Sequence, residues 1–122
     1  HTYSANPLAC IAAISGIKLL NSTKIQEQIK FISKSHLKFT EILKTKAIVK
    51  EARCKGVILA LDLNLEFNRY GNLRDELYHK FLKLGVYLRP LGATIYILPP
   101  YTISNEELKK VYQAIENVIF QY

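Results

Sequence analysis

The first regular stretch of the chain is apolar on nearly every side. Pro7 to Ile17 carries no charged residue. Asn6 before it is a good N-cap, and proline suits the first helical position because its missing N–H has no partner there anyway. A helix is therefore expected from Pro7 to about Leu20. A helix apolar all round has to be covered, so residues 1–22 are expected to pack on a larger body outside this chain. Thr23-Lys24-Ile25-Gln26 fits a capping box and opens a second helix, to about Lys44. Its apolar positions Ile25, Ile29, Ile32, Phe39 and Leu43 recur at spacings of three and four, forming one inward stripe. His36 lies on that stripe and reads as a packed, hydrogen-bonded residue, because no second His or Cys stands at metal-ligand spacing.

The period then changes. Ala47 to Arg53 reads as a short extended segment. Val57 to Leu63 is almost continuously apolar, the pattern of a strand buried on both faces. Glu66 to Gly71 is a polar connection. Asn72 to Leu84 forms a third helix with Leu73, Leu77, Phe81 and Leu84 inward and Gly85 as its left-handed stop. Val86 to Leu88 and Thr94 to Leu98 flank Pro90-Leu91-Gly92 and predict a hairpin-like pair, ended by Pro99-Pro100. Ser104-Asn105-Glu106-Glu107 is a capping box, and the final helix turns Leu108, Val111, Ile115, Val118 and Ile119 inward. The expected order is α-α-β-β-α-β-β-α. Residues 1–122 thus predict one α+β unit, a small, mostly antiparallel sheet with helices on one face.

Composition narrows this picture. At 122 residues and 49% hydrophobic content the chain sustains one core. It has no apolar run of about 18 residues, so no membrane span is expected. His1 to Gly16 is apolar without a basic cluster and is not read as a signal peptide. With no Met, and His1 first, the chain is expected to be a piece of a longer protein. Cys10 and Cys54 lack Cys-x-x-Cys spacing; they suit a reducing cytoplasm and read as small buried hydrophobes. The net charge of +7 raises nucleic acid as a partner. However, Lys30, Lys34 and Lys38 recur every fourth residue as one solvated helix face, and no nucleic-acid motif accompanies them. No nucleic-acid partner is expected.

One residue carries candidate chemistry. Arg89 is the only charge between Gly85 and Tyr101. Burying an unpaired charge is very costly, and no acid lies nearby in sequence. Three readings stay open: a distant Asp or Glu comes to Arg89, the side chain snorkels to water, or a ligand carboxylate or phosphate binds its planar fork through two parallel hydrogen bonds.

Four segments in order add a resemblance. They are His1-Thr2-Tyr3-Ser4-Ala5-Asn6-Pro7-Leu8-Ala9-Cys10, Arg53-Cys54-Lys55-Gly56-Val57-Ile58-Leu59-Ala60-Leu61, Leu88-Arg89-Pro90-Leu91-Gly92 and Ile95-Tyr96-Ile97-Leu98-Pro99-Pro100-Tyr101. Together they resemble the C-terminal part of class III pyridoxal-phosphate aminotransferases, with Ala5 where that family has glycine. The resemblance implies the small C-terminal domain of a fold-type I enzyme, a cytoplasmic homodimer acting on small molecules. It implies that Thr2 reaches the cofactor phosphate of the partner subunit, that Arg89 holds a substrate carboxylate and that Tyr96 stands near the substrates. Taken without the resemblance, Thr2 reads as a capping hydroxyl and Tyr96 as a strand tyrosine packing on the sheet. Tyr96 and Tyr101 favour a branch whose keto substrate has its carboxylate far from the reacting carbon, over ornithine or acetylornithine enzymes. The family's Schiff-base lysine motif and pyridine-pairing aspartate are missing, so the chain is expected to hold no catalytic residue, to lack pyridoxal phosphate by itself and to be inactive alone. A free-standing α+β binding module that keeps Arg89 as an anion site is the alternative from another class.

Overall fold

The computed structural model describes residues 4–66 and 71–122. Thr2, and most of the connection expected at Glu66 to Gly71, lie outside them. Helix α1 spans Pro7–Leu20 and α2 spans Thr23–Lys44; β1 is Val49–Lys55 and β2 Ile58–Leu63; α3 is Leu73–Lys83, β3 Thr94–Ile97 and α4 Asn105–Ile119. The sheet has the order β1-β2-β3, antiparallel throughout.

Local chemistry accounts for most boundaries. The Asn6 side chain accepts the amide of Leu8 at 3.0 Å and starts α1. Just before it, Ala5 has φ 55°, in the left-handed region where glycine is at ease. A side chain costs roughly 1–2 kcal/mol there. α2 is capped one residue earlier than the expected box: Ser22, not Thr23, accepts from the amide of Ile25, and Gln26 reaches back to the carbonyl of Leu20. Both halves of the Ser104–Glu107 box form. Gly85 ends α3 at φ 71°, and a Cβ there would also meet Lys110 Nζ at 2.8 Å.

The helices cover one face of the sheet. Inward rows Cys54–Leu59–Ile97 and Ala52–Leu61–Ile95 cross the three strands. Leu59, Leu61 and Ile95 are fully buried among Phe39 and Leu43 of α2, Leu77 and Phe81 of α3, and Ile115 and Val118 of α4. The expected burial of the second strand on both faces is therefore corrected. Its burial alternates, with Ile58 exposed and Ala60 and Asp62 half-covered, because among the described residues no layer packs on the outer side.

The expected hairpin is corrected too. Val86 to Leu88 alternates between buried and exposed positions but, among the described residues, pairs with no strand; β3 pairs with β2 instead. Pro90 has no N–H to give a ladder. Leu91 and Thr94 exchange both backbone bonds, at 2.8 and 3.0 Å, around Gly92 at φ 64°. The chain turns there and pairing goes no further. Val86, Leu88 and Pro90 point inward, while Tyr87 and Arg89 point out.

His36 sits fully buried on α2. One ring nitrogen, Nδ1, is 2.6 Å from the Tyr112 hydroxyl, and Nε2 is 3.1 Å from the Val57 carbonyl. A carbonyl only accepts, so Nε2 carries the proton and Nδ1 accepts from Tyr112. Cys10 is exposed on α1, against the reading of both cysteines as buried, and Cys54 is half-covered with its thiol toward the Gly56 carbonyl. Every residue of α1 is exposed, including Leu8, Ile11 and Ile17. Among the described residues no single helix is long and apolar enough to cross a membrane.

Candidate functional site

Arg89 is exposed and lines a cleft of about 240 Å³ between the start of α3 and the extended segment 86–90. Arg74, Asp75, Tyr78 and Tyr87 complete the lining. In-out alternation along 86–90 places Tyr87 and Arg89 on the same side. Helical spacing does the same for Arg74 and Tyr78, four residues apart on α3. The Tyr78 and Tyr87 rings meet edge to face, 5.8 Å between centroids at 90°, and wall one side.

The charges in this cleft are uneven. Arg74 Nε donates to Asp75 Oδ1 at 2.9 Å, and an Arg74 η nitrogen lies 2.9 Å from the same oxygen. The Arg74 guanidinium holds the Asp75 carboxyl below the usual range, with His79 and Arg89 adding to the effect. Among the described residues no carboxylate reaches ion-pair distance of Arg89. With Asp75 engaged by Arg74, the guanidinium of Arg89 is the group in the cleft open to a carboxylate.

Tyr96 lies elsewhere on the fold. It stands on β3 in register with Ala60 and, beyond it, Arg53, on the uncovered face of the sheet, and it is not part of the Arg89 cleft. A polar network links Arg53 in this row to Glu51, Asp62 and Thr94 in the next. Arg53 pairs with Asp62 and, at 3.7 Å, with Glu51, while Thr94 donates to Asp62 at 2.6 Å. Arg53 first, then Thr94, holds the Asp62 carboxyl below its ordinary range. The structure therefore does not bring Arg89 and Tyr96 into one cavity. Sequence reading missed Arg74, Asp75, Tyr78 and Tyr87; the available signal was the two-residue step from Tyr87 to Arg89 and the four-residue step from Arg74 to Tyr78.

Comparison with known proteins gives this geometry a context. The family model "Aminotransferase class-III" matches residues 1–119. The adenosylmethionine-8-amino-7-oxononanoate aminotransferase of Synechococcus elongatus is 33% identical over 98% of this chain and 28% of its own length. The protein of that name from Buchnera aphidicola subsp. Schizaphis graminum is 36% identical over 94% of this chain and 26% of its own. The chain thus spans about a quarter of the length of the curated relatives it matches. An amine transaminase from an uncultivated Pseudomonas species, solved in its pyridoxal-phosphate-bound form, superposes with a TM-score of 0.84 over 99% of this chain and 29% of its own, at 24% identity.

That cofactor needs an imine-forming lysine in a cleft closed to water. No lysine among the described residues is buried. Lys46 and Lys80, the most covered, lie over the rings of Phe120 and Tyr122 at 4.8 and 4.0 Å. The described residues do not fit pyridoxal phosphate by themselves.

Proposed function

The chain belongs to the class-III aminotransferases, and from that membership we propose that it is the C-terminal, substrate-gripping part of an adenosylmethionine–8-amino-7-oxononanoate aminotransferase. The whole enzyme moves an amino group from S-adenosylmethionine to 8-amino-7-oxononanoate, a step of biotin biosynthesis, as a cytoplasmic homodimer with pyridoxal phosphate. The relatives' shared name supports the substrate pair. On this reading residues 1–122 are one domain, and α1 packs on the large domain, which holds the reacting lysine. Thr2 serves the cofactor phosphate, and Tyr96 closes over the substrates from the open face of the sheet.

The observation that carries the reading is Arg89, a guanidinium in an aromatic-walled cleft with no carboxylate at pairing distance among the described residues. The keto substrate has one carboxylate, distant from the carbon that reacts. A two-pronged grip on that carboxylate fixes the far end of the molecule and so the position of the near end.

The full-length protein should aminate 8-amino-7-oxononanoate with S-adenosylmethionine and should not take an amino group from ornithine or acetylornithine. The opposite preference assigns it to another class III activity. Arg89→Ala should raise KM for the oxononanoate roughly ten- to a hundredfold, the loss of a charge-assisted pair worth about 1.5–3 kcal/mol. An unchanged KM removes Arg89 from the site.

A further inference from the structure

Arg89 shares its cleft with a carboxylate of the chain itself, and the two do not pair. Asp75 lines the same cavity, yet its oxygen is engaged by Arg74, the residue immediately before it. Opposite charges facing one small cavity attract, and a guanidinium fork pairs readily with any carboxylate that reaches it. Asp75 is the chain's own competitor for Arg89. It is ionised at neutral pH as an ordinary aspartate is, and Arg74 foremost, with His79 and Arg89 after it, holds its carboxyl further below the usual range.

We propose that Arg74 is a positioning residue for the substrate carboxylate: by keeping the Asp75 carboxylate on itself, it leaves the fork of Arg89 open to the incoming acid. The inference rests on the reading above, in which Arg89 takes the carboxylate of the oxononanoate. It deepens that reading by giving α3 a part in recognition. The Arg74–Asp75 pair is half exposed, 50% and 59% by side chain, and such surface pairs contribute little stability. What the pair decides is where one negative charge sits.

The geometry also separates this role from a general field effect. If Arg74 only added positive potential, neutralising Asp75 alone would improve substrate binding about as much as losing Arg74 harms it, and the two changes would add. If Arg74 restrains Asp75, then Asp75→Asn alone changes KM less than Arg74→Ala does, because that carboxylate is already held away. The same change cancels the harm done by Arg74→Ala, because nothing remains to swing onto Arg89.

The test is a double-mutant cycle in the full-length holoenzyme, measuring kcat and KM for 8-amino-7-oxononanoate with S-adenosylmethionine saturating. Arg74→Ala should raise KM roughly tenfold with kcat within about twofold of the parent. Asp75→Asn should shift KM by less than Arg74→Ala does, and the double variant should return to the KM of Asp75→Asn alone, a non-additive result. Additive effects, or an Arg74→Ala enzyme with unchanged KM, overturn the inference. Arg89→Ala in the same assay tests the underlying reading separately. If it raises KM while Arg74→Ala does not, only the role of Arg74 falls; if it leaves KM unchanged, the carboxylate grip falls and the role of Arg74 with it.

Discussion

His36 shows how a single residue can be read both as chemistry and as packing, and which reading the surroundings select. It is fully buried, donating to the Val57 carbonyl and accepting from Tyr112. Burial disfavours its charged form and lowers its pKa from the ordinary 6.5, against a smaller opposing effect of the Val57 bond. The unfolded chain therefore takes up a proton at higher pH than the folded one. Above the ordinary value neither state is protonated there and His36 adds no pH dependence. As pH falls below about 6.5, the unfolded state gains the proton first and stability declines, until the lowered folded pKa is passed. Thermal unfolding followed from pH 8 to pH 5 should show a midpoint that drops on the acid side. His36→Gln should flatten that part of the profile, at a cost of about 1–3 kcal/mol from a poorer fill and lost hydrogen bonds. A profile equally steep in the variant assigns the acid sensitivity to other groups. The Tyr112 hydroxyl is a donor to His36 across this range, as an ordinary phenol is, and burial pushes its pKa further up.

At the scale of elements, ends were more legible than neighbours. Asn6-Pro7, Gly85 and the Ser104–Glu107 box act within three or four residues, and the structure places them where their chemistry dictates. Replacing Ser104 with Ala removes the hydroxyl that accepts the Glu107 amide. It should cost about 1 kcal/mol, readable as a lower urea midpoint with an unchanged slope; an unaltered midpoint would show that water replaces the cap fully. Pairing between strands depends on partners far along the chain, and there the local signal failed. The β-branched run at Val86 looked like the natural mate of β3, but β2 is the actual mate, in the register Leu59–Ile97 and Leu61–Ile95. The apolar run of β2 looked two-sided because Ala60 is small and Ile58 apolar, although both stand on the uncovered side. The cleft had the same limitation. Arg89 was visible as an isolated charge, but its neighbours come from α3, and only the fold brings that helix to it.

On the scale of the whole molecule, the least satisfied element is α1. It has no buried residue, although Leu8, Ile11, Ile14 and Ile17 are 78%, 62%, 53% and 58% exposed. An apolar surface of this kind promotes association. The chain on its own should self-associate in a concentration-dependent way by sedimentation. Ile11→Lys with Ile14→Lys should return it to a monomer while leaving the thermal midpoint of the remaining domain unchanged, since α1 contributes nothing to the core. A midpoint that falls with these changes would reveal packing of α1 against its own domain. The sheet, by contrast, is held on its inner face by three helices. That division has a bearing on the segment that carries Arg89. It is anchored by Val86, whose amide binds the Phe81 carbonyl at 3.0 Å, and by Leu91 at the turn. Between those knots, among the described residues, the amides of Tyr87, Leu88 and Arg89 are laced to no backbone carbonyl. Such a strap can swap its outward side chains, Tyr87 and Arg89, over generations without unpicking a rung of the sheet. Selectivity for the acid is thereby free to drift while the scaffold beneath it stays as it is.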